Sequence, residues 1–264
     1  MTTPTEINRR NREHYGQEPE FPTPAPYEQR FIAYIDILGW SEACRDPNKF
    51  TVVAEVAHRL SELPRSFSKR LKDELKKTKG VVADPIHRES EVVTFSDNLA
   101  VSTPAGVDYT LFFKFLTFVC RDLLTQGFLT RGGVTVGSLC HRENMIFGPA
   151  LIEAVTLERE AIYPSLVCSR GLIADIESRP NCGPNNLQVV IKDQLGRPMV
   201  NLLAFASQSN PVAWYDLEKK ITENIGNYHR HSDPKCEDKT EKEFEKWRFM
   251  RDALKTMIQG AAKG

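Results

Sequence analysis

Two aspartates are the residues most able to do chemistry. Asp36 stands inside FIAYIDIL (31–38), a run that is apolar apart from Tyr34 and this one acid. A buried carboxylate without a partner is costly, so it must be ion-paired, protonated or bound to a cation. Asp97 is the only acid within 92–102 and falls at Ser96-Asp97-Asn98, between two short apolar runs. Two carboxylates brought from separate segments are the minimal kit for a pair of Mg²⁺ or Mn²⁺ ions. Such ions favour hard oxygen ligands and complete their shell with phosphate and water. The blander readings are a salt bridge for Asp36 and a turn-stabilising role for Asp97.

The elements around these residues can be read from pattern. Residues 31–40 form an apolar run rich in β-formers, which predicts a buried strand ending near Asp36. Helical spacing runs through 49–79 (Phe50, Val53, Val56, Ala57, Leu60, Leu63) and passes into a basic tail at 65–79. That tail, interrupted by Asp73 and Glu74, reads as the wet face of a helix. Residues 89–104 predict two strands around a turn at Asp97 and Asn98. Residues 109–127 predict an apolar helix closed by Gly127, and 128–140 a strand whose Gly132 and Gly133 permit close backbone approach.

A helix entered through Gly148-Pro149 follows. Then come a short strand at SLVCS and a hairpin turning at 194–197. Last is an amphipathic helix at 240–260, with Phe244, Trp247, Met250, Leu254 and Met257 on one face. That face would pack on the sheet or on a second subunit. The order predicts an α+β fold, an antiparallel sheet with helices packed on it. Three regions are expected: an irregular, proline-rich arm (1–28), a catalytic domain (29–227), and a polar loop with the final helix (228–264).

The bulk numbers constrain less. Lys+Arg and Asp+Glu both total 35, so no global charge argues for a nucleic-acid or membrane partner. Six cysteines without a CxxC pair suit reduced thiols. The polar start MTTPTEINRRNREHYGQEPE has no apolar core of a signal peptide, and no run reaches membrane-spanning length. A cytoplasmic protein is expected.

Four blocks carry a family likeness. IDILGWS (35–41) resembles the first metal-binding strand of class III adenylyl and guanylyl cyclases, which reads like ADIVGFT. TFSDNLAVS (94–102) is similar to their second, TIGDAYMVV. RGGVTVGSLC (131–140) looks like RIGIHTG, and IFGPALIEAVTLE (146–158) keeps the register of LFGDTVNTASRME. The resemblance implies a ferredoxin-like cyclase sheet. It makes Asp36 and Asp97 metal ligands, completed by the Ile37 carbonyl, and Arg131 a triphosphate contact. It also implies homodimers that share active sites. A planar guanidinium suits phosphate oxygens, and a structural salt bridge is the alternative for Arg131.

The pattern breaks at four places. The purine-reading polar positions fall at Val93 and Met145, which cannot hydrogen-bond a base edge. The transition-state asparagine and arginine positions fall at Ile152 and Thr156, so two oriented donors are missing. Two readings follow: a catalytically inactive cyclase fold kept for binding or scaffolding, or a divergent cyclase with another base. The second fits the retention of Asp36 in a buried strand. Tyr34, Trp40, the RGG variation and ILGWSEA resemble the bacterial Pycsar pyrimidine cyclases. In that family cyclic UMP or cyclic CMP activates a separate effector protein during phage infection. UTP is favoured here over CTP.

Two weaker signals remain. Tyr228-His-Arg-His231 with Cys236 has residue types for zinc, against a solvated loop. No P-loop of the form GxxxxGK[ST] occurs.

Overall fold

The computed structural model describes residues 27–77, 90–106, 109–142, 144–179, 189–193, 196–202, 204, 218–226 and 237–261. The zinc-type cluster at 228–236 and residues 1–26 of the proposed arm lie outside them. Among the described residues, no helix is long and apolar enough to cross a membrane.

β1 (Glu28–Leu38) runs two residues past the end expected at Asp36 and starts earlier, because its pairing with β4 continues from Glu28 to Leu38. It leads into a short helix α1 (Trp40–Arg45) through Gly39, whose φ of 80° suits a residue without Cβ. The long helix α2 (Phe50–Lys77) follows, then β2 (Glu91–Phe95) and β3 (Asn98–Pro104). Next are α3 (Tyr109–Thr125), β4 (Leu129–Arg142), β5 (Met145–Phe147) and α4 (Pro149–Glu160). β6 (Leu166–Cys168), α5 (Arg170–Ser178), β7 (Val190–Lys192) and β8 (Pro198–Val200) precede helices α6 (218–226) and α7 (Glu237–Ala261). The sequence pattern misses α1, α5 and α6. Each is short or weakly periodic, and tertiary packing rather than propensity stabilises such helices.

The strand order is β2-β3-β1-β4-β6-β8-β7, with β5 pairing β4 at the side. Its first four strands, joined as β-α-ββ-α-β with every neighbour antiparallel, are the ferredoxin-like arrangement. Among the described residues, only β4 and β6 pair in parallel, across the α4 connection.

Alternation along β1 divides the core. Phe31, Ala33, Ile35 and Ile37 join the main cluster with α3 residues Phe112, Phe113 and Leu116. Trp247, Met250 and Leu254 of α7 belong to that same cluster, as the amphipathic pattern expects. In α2 the buried stripe is Val56, Leu60 and Leu63. Phe50 and Ala57 are exposed.

The opposite face carries Ile32, Tyr34 and Asp36, and there α4 packs through Ala150 and Ala154. Gly133 makes that packing possible. A Cβ at Gly133 would stand 2.1 Å from the Ala154 carbonyl oxygen and 2.6 Å from Leu157 Cβ. Gly133→Ala must therefore push α4 off the sheet. Overpacking of this kind costs about 3 kcal/mol, and thermal unfolding should record a fall of roughly 10 °C. An unchanged melting temperature would mean that α4 does not rest on β4 at this point.

Candidate active site

Register, rather than sequence proximity, builds the site. Asp36 lies opposite Asn98 on β3 and opposite Arg131 on β4. The β2–β3 connection is two residues, Ser96 and Asp97, with Ser96 in the left-handed region at φ 57°. The turn brings Asp97 beside the end of β1, where its carbonyl accepts the Ile37 N–H at 2.8 Å. In an antiparallel strand a residue's N–H and C=O point to the same side, so the Ile37 carbonyl also faces Asp97. The Asp97 carboxylate accepts from the Asn98 side-chain amide at 2.8 Å.

Arg131 is held from two directions. Its Nε donates to Glu158 Oε1 at 2.7 Å, and its Nη2 reaches the same oxygen at 2.6 Å. The Asp36 Oδ2 lies farther away, 3.4 Å from Nη2. Glu158 is buried on the inner side of α4, so it is the firmer partner. Burial pushes the Asp36 carboxyl up to about 6; Arg131 opposes the rise, while the nearby charges of Glu158 and Asp97 add to it. Tyr34, on the same face, is also raised, first by burial and then by Glu158, Asp36 and Asp97. Burial is thus the main burden on the Asp36 carboxylate, with the charges of Glu158 and Asp97 adding to it.

The other predicted site residues lie apart from this cluster. Val93 is buried in β2 opposite Ala100, while Met145 is exposed at the start of β5. Ile152 is 69% exposed on the outer side of α4. The Thr156 hydroxyl donates to the Ile152 carbonyl at 2.8 Å, inside its own helix. Neither is brought to Asp36 within the chain. Sequence reasoning did not single out Glu158. Its only signal was an acid at an inward position of an otherwise apolar helix face.

No family model and no curated protein matches this sequence. Among solved structures, a bacterial light-regulated adenylyl cyclase aligns over 75% of this chain, at 15% identity and a TM-score of 0.43. The alignment covers 62% of that structure's chain.

Among the described residues, no group of three or more His, Cys, Asp or Glu side chains is placed to hold a metal. The donors at hand are two carboxylates, Asp36 and Asp97, and the Ile37 carbonyl. That set is hard, oxygen-only and incomplete, which suits Mg²⁺ or Mn²⁺ sharing its shell with substrate phosphates.

Proposed function

We propose that the chain is a metal-dependent nucleotidyl cyclase that converts a pyrimidine nucleoside triphosphate, UTP in preference to CTP, into the 3′,5′-cyclic monophosphate and pyrophosphate. The observation that carries this reading is the meeting of Asp36 and Asp97 at the end of β1, supported by the four sequence blocks that resemble class III cyclases. Asp36, Asp97 and the Ile37 carbonyl would hold two Mg²⁺ or Mn²⁺ ions. When bound, these ions lower the pKa of the attacking 3′-oxygen and offset the charge growing on the leaving pyrophosphate. Glu158 fixes the Arg131 guanidinium. Because the 3.4 Å approach to Asp36 is the looser of its contacts, Asp36 can turn to a cation while Arg131 stays in place.

The outward position of Ile152 and Thr156 supports a two-fold homodimer in which α4 of one protomer faces Asp36 of the other. Half-exposed Phe95, whose ring lies 6.2 Å from that of Tyr34, would be covered in such a dimer. A cytoplasmic cyclase of this type would act in anti-phage defence, its product read by a separate effector protein. The alternatives are a purine cyclase and an inactive nucleotide-binding fold. The inactive fold is favoured by the engagement of Arg131 with Glu158 and by the missing donors at Ile152 and Thr156.

Incubating the purified protein separately with ATP, GTP, CTP and UTP and resolving the products by chromatography decides among these readings. Apolar Val93 and Met145 predict turnover of the pyrimidine triphosphates, with the purines at least tenfold slower, since a lost base hydrogen bond is worth about one power of ten. Preferred turnover of ATP or GTP would assign the purine reading.

A further inference from the structure

The connection between α4 and β6, residues 161–165, touches the Arg131–Glu158 pair at both of its ends. The Ala161 N–H donates to the carbonyls of Leu157 and Glu158, each at 3.1 Å. At the other end the Ser165 carbonyl accepts the Gly132 N–H at 2.9 Å, and Leu166 pairs with Gly132 in the sheet. Gly132 directly follows Arg131. These five residues therefore join the carboxylate that holds the Arg131 guanidinium to the backbone that carries it.

Tyr163 is the one aromatic residue among the five. Its ring stacks on Phe249 of α7, with centroids 4.5 Å apart and planes inclined by 5°. The Ser165 hydroxyl donates to the Tyr163 carbonyl at 3.2 Å, which couples the stacked residue to the Gly132 contact. Phe249 and Trp247 are roughly 200° apart round a helix, yet both are buried. α7 is thus buried on a second side, outside the stripe of Trp247, Met250 and Leu254, and Tyr163 meets it there. Both rings lie beyond the last of the four family-like blocks, which ends at Glu158.

We propose that Tyr163, clamped by Phe249, is a positioning residue that keeps Arg131 and Glu158 paired, so that docking of α7 controls how the guanidinium is presented beside Asp36. The consequence for turnover rests on the cyclase reading; the clamp itself does not. The C-terminal helix then regulates the site from outside it, by holding or releasing one loop.

The test is hydrogen exchange of arginine side chains by NMR on the full chain. Arg131 Nε–H donates to Glu158 at 2.7 Å, and Arg30 Nε–H donates to buried Ser102 at 2.9 Å, away from α7. Exchange reports local opening at each donor. Tyr163→Ala and Phe249→Leu are each expected to speed exchange at Arg131 about tenfold, the order of one aromatic pair, and to leave Arg30 unchanged. Tyr163→Phe keeps the ring and should stay within about twofold of the unmodified chain. Free exchange of Arg131 in the unmodified chain would overturn the proposal. So would unchanged exchange in Tyr163→Ala and Phe249→Leu, or equal acceleration at Arg30, which marks general loosening. Turnover measured in parallel separates the two readings: kcat should fall about tenfold in Tyr163→Ala and return in Tyr163→Phe. Selective acceleration at Arg131 without turnover of any nucleotide by the unmodified chain removes the cyclase and leaves the clamp. Turnover with Arg131 exchange indifferent to Tyr163→Ala removes the clamp and leaves the cyclase.

Discussion

Asp36→Asn is expected to stabilise the protein at pH 8 and, in the same molecule, to abolish nucleotide turnover. The Asp36 carboxyl titrates near its ordinary value of 3.8 when unfolded and at about 6 in the fold, chiefly because it is buried. Between those values the folded protein holds a proton that the unfolded chain has released. Stability from this group is therefore full below about pH 4, falls as pH rises to about 6, and stays low above it. Asparagine does not ionise, so the variant should lose that slope. It should gain about 3 kcal/mol at pH 8, roughly 6–12 °C in melting temperature. Turnover should fall by at least about a thousandfold, since a cation ligand is lost. A substitution that stabilises while it inactivates marks a group kept for function at a cost in stability. Lower stability at pH 8 would show instead that the Arg131 ion pair outweighs the burial of Asp36. Full turnover would remove Asp36 from the mechanism.

Mixing Asp36→Asn with Ile152→Trp should restore activity that neither variant has alone. If active sites are shared, Asp36 of one protomer faces Ile152 of the other. Each homodimer then carries a lesion in both of its sites. In a mixed dimer one site collects both lesions and the other collects none. Random equimolar exchange makes about half of the dimers mixed, so roughly a quarter of the unmodified activity should return. Ile152 is exposed on α4, so the added indole ring meets no core of its own chain and folding should be preserved. No recovery, with exchange confirmed by native mass spectrometry, would place each site within one chain.

Much of this arrangement was legible in the sequence, and the parts that were not have physical reasons. The strand around Asp36, the Ser96–Asp97 turn and the Gly127 cap were readable because an apolar run of β-formers, turn chemistry and a helix-capping glycine are local signals. Gly132 and Gly133 were rightly read as points of close approach: a Cβ at Gly132 would stand 2.4 Å from the Tyr34 carbonyl oxygen. Residues that depend on three-dimensional neighbours were not readable. Glu158 is an ordinary helix-surface acid until α4 is laid on β4 and its carboxylate meets Arg131. The strand was expected to end near Asp36, an acid in an apolar run. In fact pairing with β4 continues to Leu38 opposite Leu129. The departures from the family pattern at Val93, Met145, Ile152 and Thr156 were visible as letters. Only the fold separates buried Val93 from the three that lie on the outside.

The most direct test of the cyclase reading is metal-dependent product formation by the unmodified protein. Purified chain is incubated with UTP and Mn²⁺, and the products are identified by mass spectrometry, with Asp97→Asn and an EDTA-treated sample alongside. The expected result is cyclic UMP and pyrophosphate in equal amounts, absent from the EDTA sample and from Asp97→Asn. Failure to cyclise UTP, CTP, ATP or GTP with either Mn²⁺ or Mg²⁺ would contradict the account and leave the fold as a binding module.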